Sequence, residues 1–143
     1  LGTDLSARNI RTAESGVYSQ FDINCGLPAR RLVNFFEKRD GAWCVRENIK
    51  KHVVFHKMNL AAPESPFPQA DLILMRNVLK YFDAAHRNAV LKKLHAALKP
   101  DGYLVMGEGE MASRDHGFEP VHSGKNSVFR LLDIHNQPAE FSI

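Results

Sequence analysis

The apolar and polar positions of residues 70–110 alternate in blocks that predict a strand, a helix and a second strand. Asp71-Leu72-Ile73-Leu74-Met75 is a short apolar run, the length of a strand buried on both faces. Arg76 and Asn77 follow at once, polar residues where that strand should end. After Asp83, the residues Val90, Leu91, Leu94 and Leu98 keep helical spacing. Asp83 is a good N-cap, and Pro100-Asp101-Gly102 is a strong stop. Tyr103-Leu104-Val105-Met106 reads as the second strand. Strand, helix and strand in this order imply a right-handed crossover in a mostly parallel sheet. Ligands of such sheets sit at the carboxyl ends of the strands. Arg76-Asn77 and Gly107-Glu108 are therefore expected on one rim.

The rest of the chain divides into shorter elements. Leu1-Gly2-Thr3-Asp4 reads as the end of a strand, and Ser6 caps a helix through Ile10 to about Glu14. A carboxylate placed like Asp4 can accept both ribose hydroxyls of a nucleotide cofactor; a plain turn or cap role is the alternative. A connecting region leads to a helix from near Pro28, whose apolar face is Leu32, Phe35 and Phe36. Arg30, Arg31, Lys38 and Arg39 form a solvated face or a docking face. Asp40-Gly41 signals a hairpin into Ala42-Trp43-Cys44-Val45. His52-Val53-Val54-Phe55-His56 reads as the next strand and ends at Met58-Asn59-Leu60. The amide of Asn59 either pairs with an adenine edge or opens the turn carrying Pro63, Pro66 and Pro68. The chain is loop-like after Glu110 as far as Gly117. Glu119-Pro120-Val121 and Ser127-Val128-Phe129-Arg130 then pair as an antiparallel ribbon around Ser123-Gly124-Lys125-Asn126.

Composition narrows the class without naming a chemistry. The 143 residues suffice for one domain and are short for a two-domain enzyme. Hydrophobic residues at 44% and charged residues at 24% place the chain among ordinary globular proteins. No apolar run approaches the roughly 20 residues of a membrane span, so no membrane insertion is expected. Nothing at Leu1 resembles a signal peptide. Cys25 and Cys44 set up no disulfide framework and read as free thiols of a cytoplasmic protein. A net charge of +3 suits docking on an acidic protein surface and argues little for nucleic acid. Seven histidines occur with no persuasive metal spacing, and His52 and His56 read as surface residues. There is no phosphate loop and no flanked nucleophile.

LMRNVLKYFD followed by LKPDGYLVMGEGE resembles the chemotaxis-receptor methyltransferase family, which methylates receptor glutamates with S-adenosylmethionine. The family shows a cysteine-arginine-asparagine-valine block ending in tyrosine-phenylalanine-aspartate. It then shows proline-glycine-glycine-tyrosine and glycine-histidine-serine-glutamate. The resemblance extends through Gly2-Thr3-Asp4-Leu5-Ser6, Gly16-Val17-Tyr18-Ser19, Gly26-Leu27-Pro28-Ala29-Arg30 and Met58-Asn59-Leu60, and on through Gly117-Phe118-Glu119-Pro120-Val121 to Phe129-Arg130-Leu131. It implies the C-terminal part of a three-layer, Rossmann-like α/β methyltransferase sheet over residues 1–132, with a small antiparallel insertion at about 35–47. Residues 133–143 form a tail with no family counterpart. It implies cofactor contacts at Asp4, Asn59, Leu60, Arg76 and Asn77, and a chemoreceptor cytoplasmic domain as partner. Tyr81 falls one helical turn past Asn77 if the strand runs straight into a helix; it then faces the methyl group or simply packs the helix. Carboxylate methylation fits a site without catalytic Cys, His or metal. A glutamate is already ionised at neutral pH, with an ordinary pKa of about 4.3.

The departures from the family carry their own expectations. Its N-terminal helical domain, its first sheet strand and its glycine-glutamate-glutamate-proline-tyrosine-serine block have no counterpart here. A sheet without its central strand exposes apolar faces and unpaired backbone groups. The expectation is one piece of a longer polypeptide, with weak or no cofactor binding and no turnover alone, and strand exchange between copies as a consequence. The hairpin loop is shorter than in relatives that tether a receptor peptide, which argues against tethering. Glu108 replaces the family's histidine and brings negative charge near a site meant for a carboxylate, unless it points away. A non-catalytic relative that binds cofactor or a signalling partner is the alternative function.

Overall fold

Short strands supply the frame of this computed structural model, which describes residues 1–63, 67–121 and 127–132. The chain divides into two compact units, Leu1–Leu60 and Ala61–Ile143.

In the first unit, β1 (Gly2–Asp4) leads through Ser6 into α1 (Ala7–Ser15). The Ser6 side chain accepts the Asn9 N–H, as its cap position predicts. β1 pairs in parallel with β5 (Phe55–Lys57), and the Asp4 carbonyl accepts the Met58 N–H at 2.9 Å. The sequence between them forms a separate three-stranded antiparallel sheet in the order β2-β4-β3. Its strands are β2 (Val17–Tyr18), β3 (Phe36–Arg39) and β4 (Ala42–Val45). The predicted hairpin is present. Asp40 (φ 48°) and Gly41 (φ 81°) both take left-handed backbone, the pair a twisted two-residue turn requires. The expected insertion at about 35–47 gains a third strand from Val17 and Tyr18. Tyr18 meets Phe36 edge-on, with ring centroids 6.1 Å apart.

Three expectations for this unit need correcting. A short helix α2 (Gln20–Asn24) stands in the connecting region, started by a capping box between Ser19 and Asp22. The helix near Pro28 is α3 (Ala29–Phe35), and Phe36 belongs to β3, not to its apolar face. The strand expected from His52 begins only at Phe55, because α4 (Glu47–Lys50) and its turn use the residues before it. His52 and His56 are exposed, as expected.

In the second unit, β6 (Ala70–Met75), α5 (Ala84–Ala97) and β7 (Leu98–Met106) form the crossover, and β6 and β7 pair in parallel. Asp83 caps α5 by accepting the His86 N–H. The antiparallel ribbon is β8 (Phe118–Val121) with β9 (Ser127–Leu131), and the sheet order is β6-β7-β9-β8. The turn expected at Ser123-Gly124-Lys125-Asn126 and the tail at 133–143 lie outside the described residues. The helix stops at Ala97, three residues before Pro100, because Leu98 already pairs with Ala70. A shift in register between Ala70 and Leu72 then admits Pro100 into β7.

One face of this sheet carries the core. Met75, Leu104, Met106, Phe118 and Phe129 are buried there, with Val90, Leu91, Leu94 and Ala97 of α5. His95 closes edge-on against Phe118 at 5.6 Å. The other face overturns the expectation of a strand buried on both sides. Leu72 is 54% and Leu74 68% exposed, opposite Tyr103 and Val105. Substitution should separate the faces. Leu104→Ala is expected to cost about 3 kcal/mol in urea unfolding, as for a buried leucine. Leu74→Ala is expected to stay within about 0.5 kcal/mol.

Candidate functional site

Each unit brings some of the predicted site residues to the carboxyl end of its parallel strands. In the first, Asp4 ends β1, and Asn59 and Leu60 follow β5. The bond from Met58 N–H to the Asp4 carbonyl holds the two strand ends side by side. Asp4 is half-buried. Its Oδ1 accepts the Ser6 N–H at 2.7 Å and its Oδ2 accepts Nδ2 of Asn9 at 3.2 Å. A carboxylate offers about four lone-pair sites. Two are used here, and the remaining capacity fits a ribose diol.

In the second unit, Arg76 and Asn77 follow β6, and Gly107 to Glu110 follow β7. The chain does not run straight from β6 into a helix. Asn77 takes left-handed backbone at φ 61°, and a single 3₁₀ turn, Leu79–Tyr81, comes before α5. The helical spacing from Asn77 on which Tyr81 was placed is therefore absent. Tyr81 is 78% exposed, with Lys80 Nζ 5.3 Å from its ring centroid.

The rim also holds a buried acid that the sequence did not reveal. Glu110 is the buried charged side chain among the described residues. Its Oε2 accepts the N–H of Asn77 at 2.7 Å and of Gly107 at 3.0 Å; its Oε1 accepts the N–H of Leu79 at 2.8 Å. Gly107 has to be glycine. A Cβ there would stand 2.7 Å from the Asn77 nitrogen and 2.8 Å from Glu110 Oε2. Glu108, the acid expected to trouble the site, is exposed. A buried acid is invisible to hydrophobic periodicity. The available signal was that Glu110, not Glu108, matches the last residue of the family's glycine-histidine-serine-glutamate block.

A cavity of about 240 Å³ in the first unit is lined by Ala13, Glu14, Lys50, Val53, Val54 and Phe55, none of them a predicted site residue. No cluster of metal-ligating side chains occurs among the described residues.

Burial alone raises the Glu110 pKa, but main-chain N–H groups of Asn77, Gly107, Leu79 and Val78 together hold it below the ordinary carboxylate value. A depressed folded-state pKa contributes stability that is fully present above the unfolded value. That stability is lost as pH falls through the folded one. The stability gap between wild type and Glu110→Gln should therefore be widest near neutral pH, on the order of 3 kcal/mol. It should shrink in urea titrations below about pH 4.5.

Comparison with known proteins places this geometry. Residues 1–127 match the family described as "CheR methyltransferase, SAM binding domain". Chemotaxis protein methyltransferase 1 of Pseudomonas aeruginosa is 32% identical over 133 residues, covering 91% of this chain and 48% of that protein. Chemotaxis protein methyltransferase 1 of Vibrio cholerae is 34% identical over 131 residues, covering 90% of this chain and 48% of that one. The chain thus spans about half the length of these curated relatives. Among solved structures, an O-methyltransferase family protein from Burkholderia thailandensis matches at TM-score 0.46 and 18% identity, covering 59% of this chain and 38% of that one. The chain belongs to the CheR methyltransferase family, over that family's S-adenosylmethionine-binding domain.

Proposed function

We propose that these residues form part of a protein-glutamate O-methyltransferase that modifies chemoreceptors, with S-adenosylmethionine as methyl donor. The observation that carries the reading is the strand-end placement. Asp4 and Asn59 share the carboxyl end of one parallel strand pair, and Arg76 and Asn77 end the first strand of another. Asp4 takes the ribose hydroxyls with its two uncommitted lone pairs, and Asn59 and Leu60 take the adenine. Arg76 and Asn77 are the further cofactor contacts that the family resemblance implies. Tyr81 is exposed just past Asn77 and remains the candidate to face the transferred methyl.

The cofactor supplies an electrophilic methyl on a sulfonium. The chain's own task is to orient and to exclude water. The incoming glutamate is already a carboxylate at neutral pH, so no general base is required. Alignment of this kind can be worth roughly 7–11 kcal/mol. The chemoreceptor as substrate rests on the family resemblance of the sequence; the relatives are named chemotaxis protein methyltransferases, and the mildly basic chain suits an acidic partner.

The tests use the polypeptide as its gene encodes it. S-adenosylhomocysteine at about 100 times its Kd is expected to raise stability by about 2.7 kcal/mol, seen as a higher Tm. Asp4→Asn keeps an acceptor for Ser6 but loses the charge, and should weaken binding by roughly tenfold or more. Radiolabelled methyl transfer to a receptor cytoplasmic domain then separates enzyme from regulator. Tyr81→Ala is expected to slow transfer while leaving Tm unchanged, since the ring is exposed. Binding without transfer would favour the regulator; no Tm shift would sink the cofactor reading.

A further inference from the structure

We propose that Glu110 is a positioning residue for Asn77, a tie that fixes how the end of β6 meets the cofactor. The proposal rests on the cofactor reading above and names what holds its site in place. The N–H groups of Asn77 and Leu79 leave β6, and that of Gly107 leaves β7, yet all three converge on one carboxylate. Glu110 thus joins the carboxyl ends of two neighbouring parallel strands across 31 to 33 residues of sequence.

The tie determines a conformation as well as a contact. Left-handed backbone is disfavoured for residues with a Cβ, and asparagine is among the few that tolerate it. At φ 61°, Asn77 is held by its main-chain N–H, while its side chain stands exposed on the rim. A site residue needs a backbone locked to a fraction of an ångström, and an ordinary loop does not give that. Other side chains do not replace Glu110. Aspartate is one methylene short of the same reach. Glutamine replaces one acceptor oxygen with an NH₂ that would face N–H donors. Gly107 belongs to the same device, because any Cβ there enters the space between Asn77 and the carboxylate.

Two measurements on the polypeptide as encoded test this. The first needs no ligand. The amide protons of Asn77, Leu79 and Gly107 should lie far downfield in the wild type, as charge-assisted donors do, and move upfield together in Glu110→Gln. Unmoved resonances overturn the tie itself. The second is the Kd for S-adenosylhomocysteine by calorimetry, at a temperature where every variant is folded. Glu110→Gln and Gly107→Ala should each raise Kd by about tenfold, and the double variant should be no worse than either single one. Phe129→Leu, a core substitution in the same unit, should lower stability but leave Kd within about twofold. Equal losses in Glu110→Gln and Phe129→Leu overturn the positioning role, as does Glu110→Gln binding like the wild type. If Glu110→Gln does not fold, Gly107→Ala and Glu110→Asp carry the same comparison. A wild type that shows no binding overturns the cofactor reading and the role together, and the resonances still report separately on the tie.

Discussion

The second unit depends on one carboxylate kept charged in a buried place. Removing an ionised acid from water is costly unless it is fully hydrogen-bonded. Glu110 meets that condition with main-chain donors of Asn77, Leu79 and Gly107, at 2.7 to 3.0 Å. Hydrogen bonds to a charged group are worth about 1.5–3 kcal/mol each, against about 1 for neutral pairs. The same three donors would otherwise be orphaned at a strand end. The interaction therefore solves two problems at once, the acid's and the backbone's. Its consequence is a rigid exit from β6, where a loop would usually be loose. At the other end of the β6–β7 pair, Ala70 pairs with Leu98, and the exposed Lys99–Asp71 ion pair adds little.

What the sequence disclosed was what local chemistry decides. Ser6 and Asp83 cap their helices, and Asp40-Gly41 turns its hairpin, because each effect is complete within four residues. The parallel β6–α5–β7 unit was legible in kind because its apolar spacing is strong, but its boundary was not: Leu98 and the expected stop at Pro100-Asp101-Gly102 lie inside β7. Short elements escaped. The capping box at Ser19 and Asp22 was readable in principle, but five residues of helix leave no periodicity to support it. Burial was legible only by halves. Leu72 and Leu74 have the apolarity of interior residues, yet they lie on the exposed face of β6. Whether a strand is covered on one side or two is decided by what packs on it, not by its own residues.

The strand-end placement of the proposed site residues was legible to the same degree. Asp4, Asn59, Arg76 and Asn77 fall at strand ends, as an α/β sheet requires of ligand-binding residues. The placement of Tyr81 failed in its premise. It assumed a continuous turn after β6, and the left-handed backbone at Asn77 breaks that turn. That break traces to Glu110, 33 residues further on, through the bond from Asn77 N–H. No local pattern carries a constraint of that range.

The two acids of the Gly107–Glu110 block also settle how much the negative charge matters. From sequence, an acid at Glu108 seemed to oppose a carboxylate substrate. Its side chain is exposed, and at 4 Å in bulk water two unit charges interact by only about 1 kcal/mol. Salt reduces that further. Glu110 is the acid in low dielectric, and its charge there is stabilised and partly screened by three main-chain donors. The buried charge is therefore partly screened by main-chain dipoles, and the exposed one is weakened by water. An acid-bearing rim is compatible with an acid as substrate.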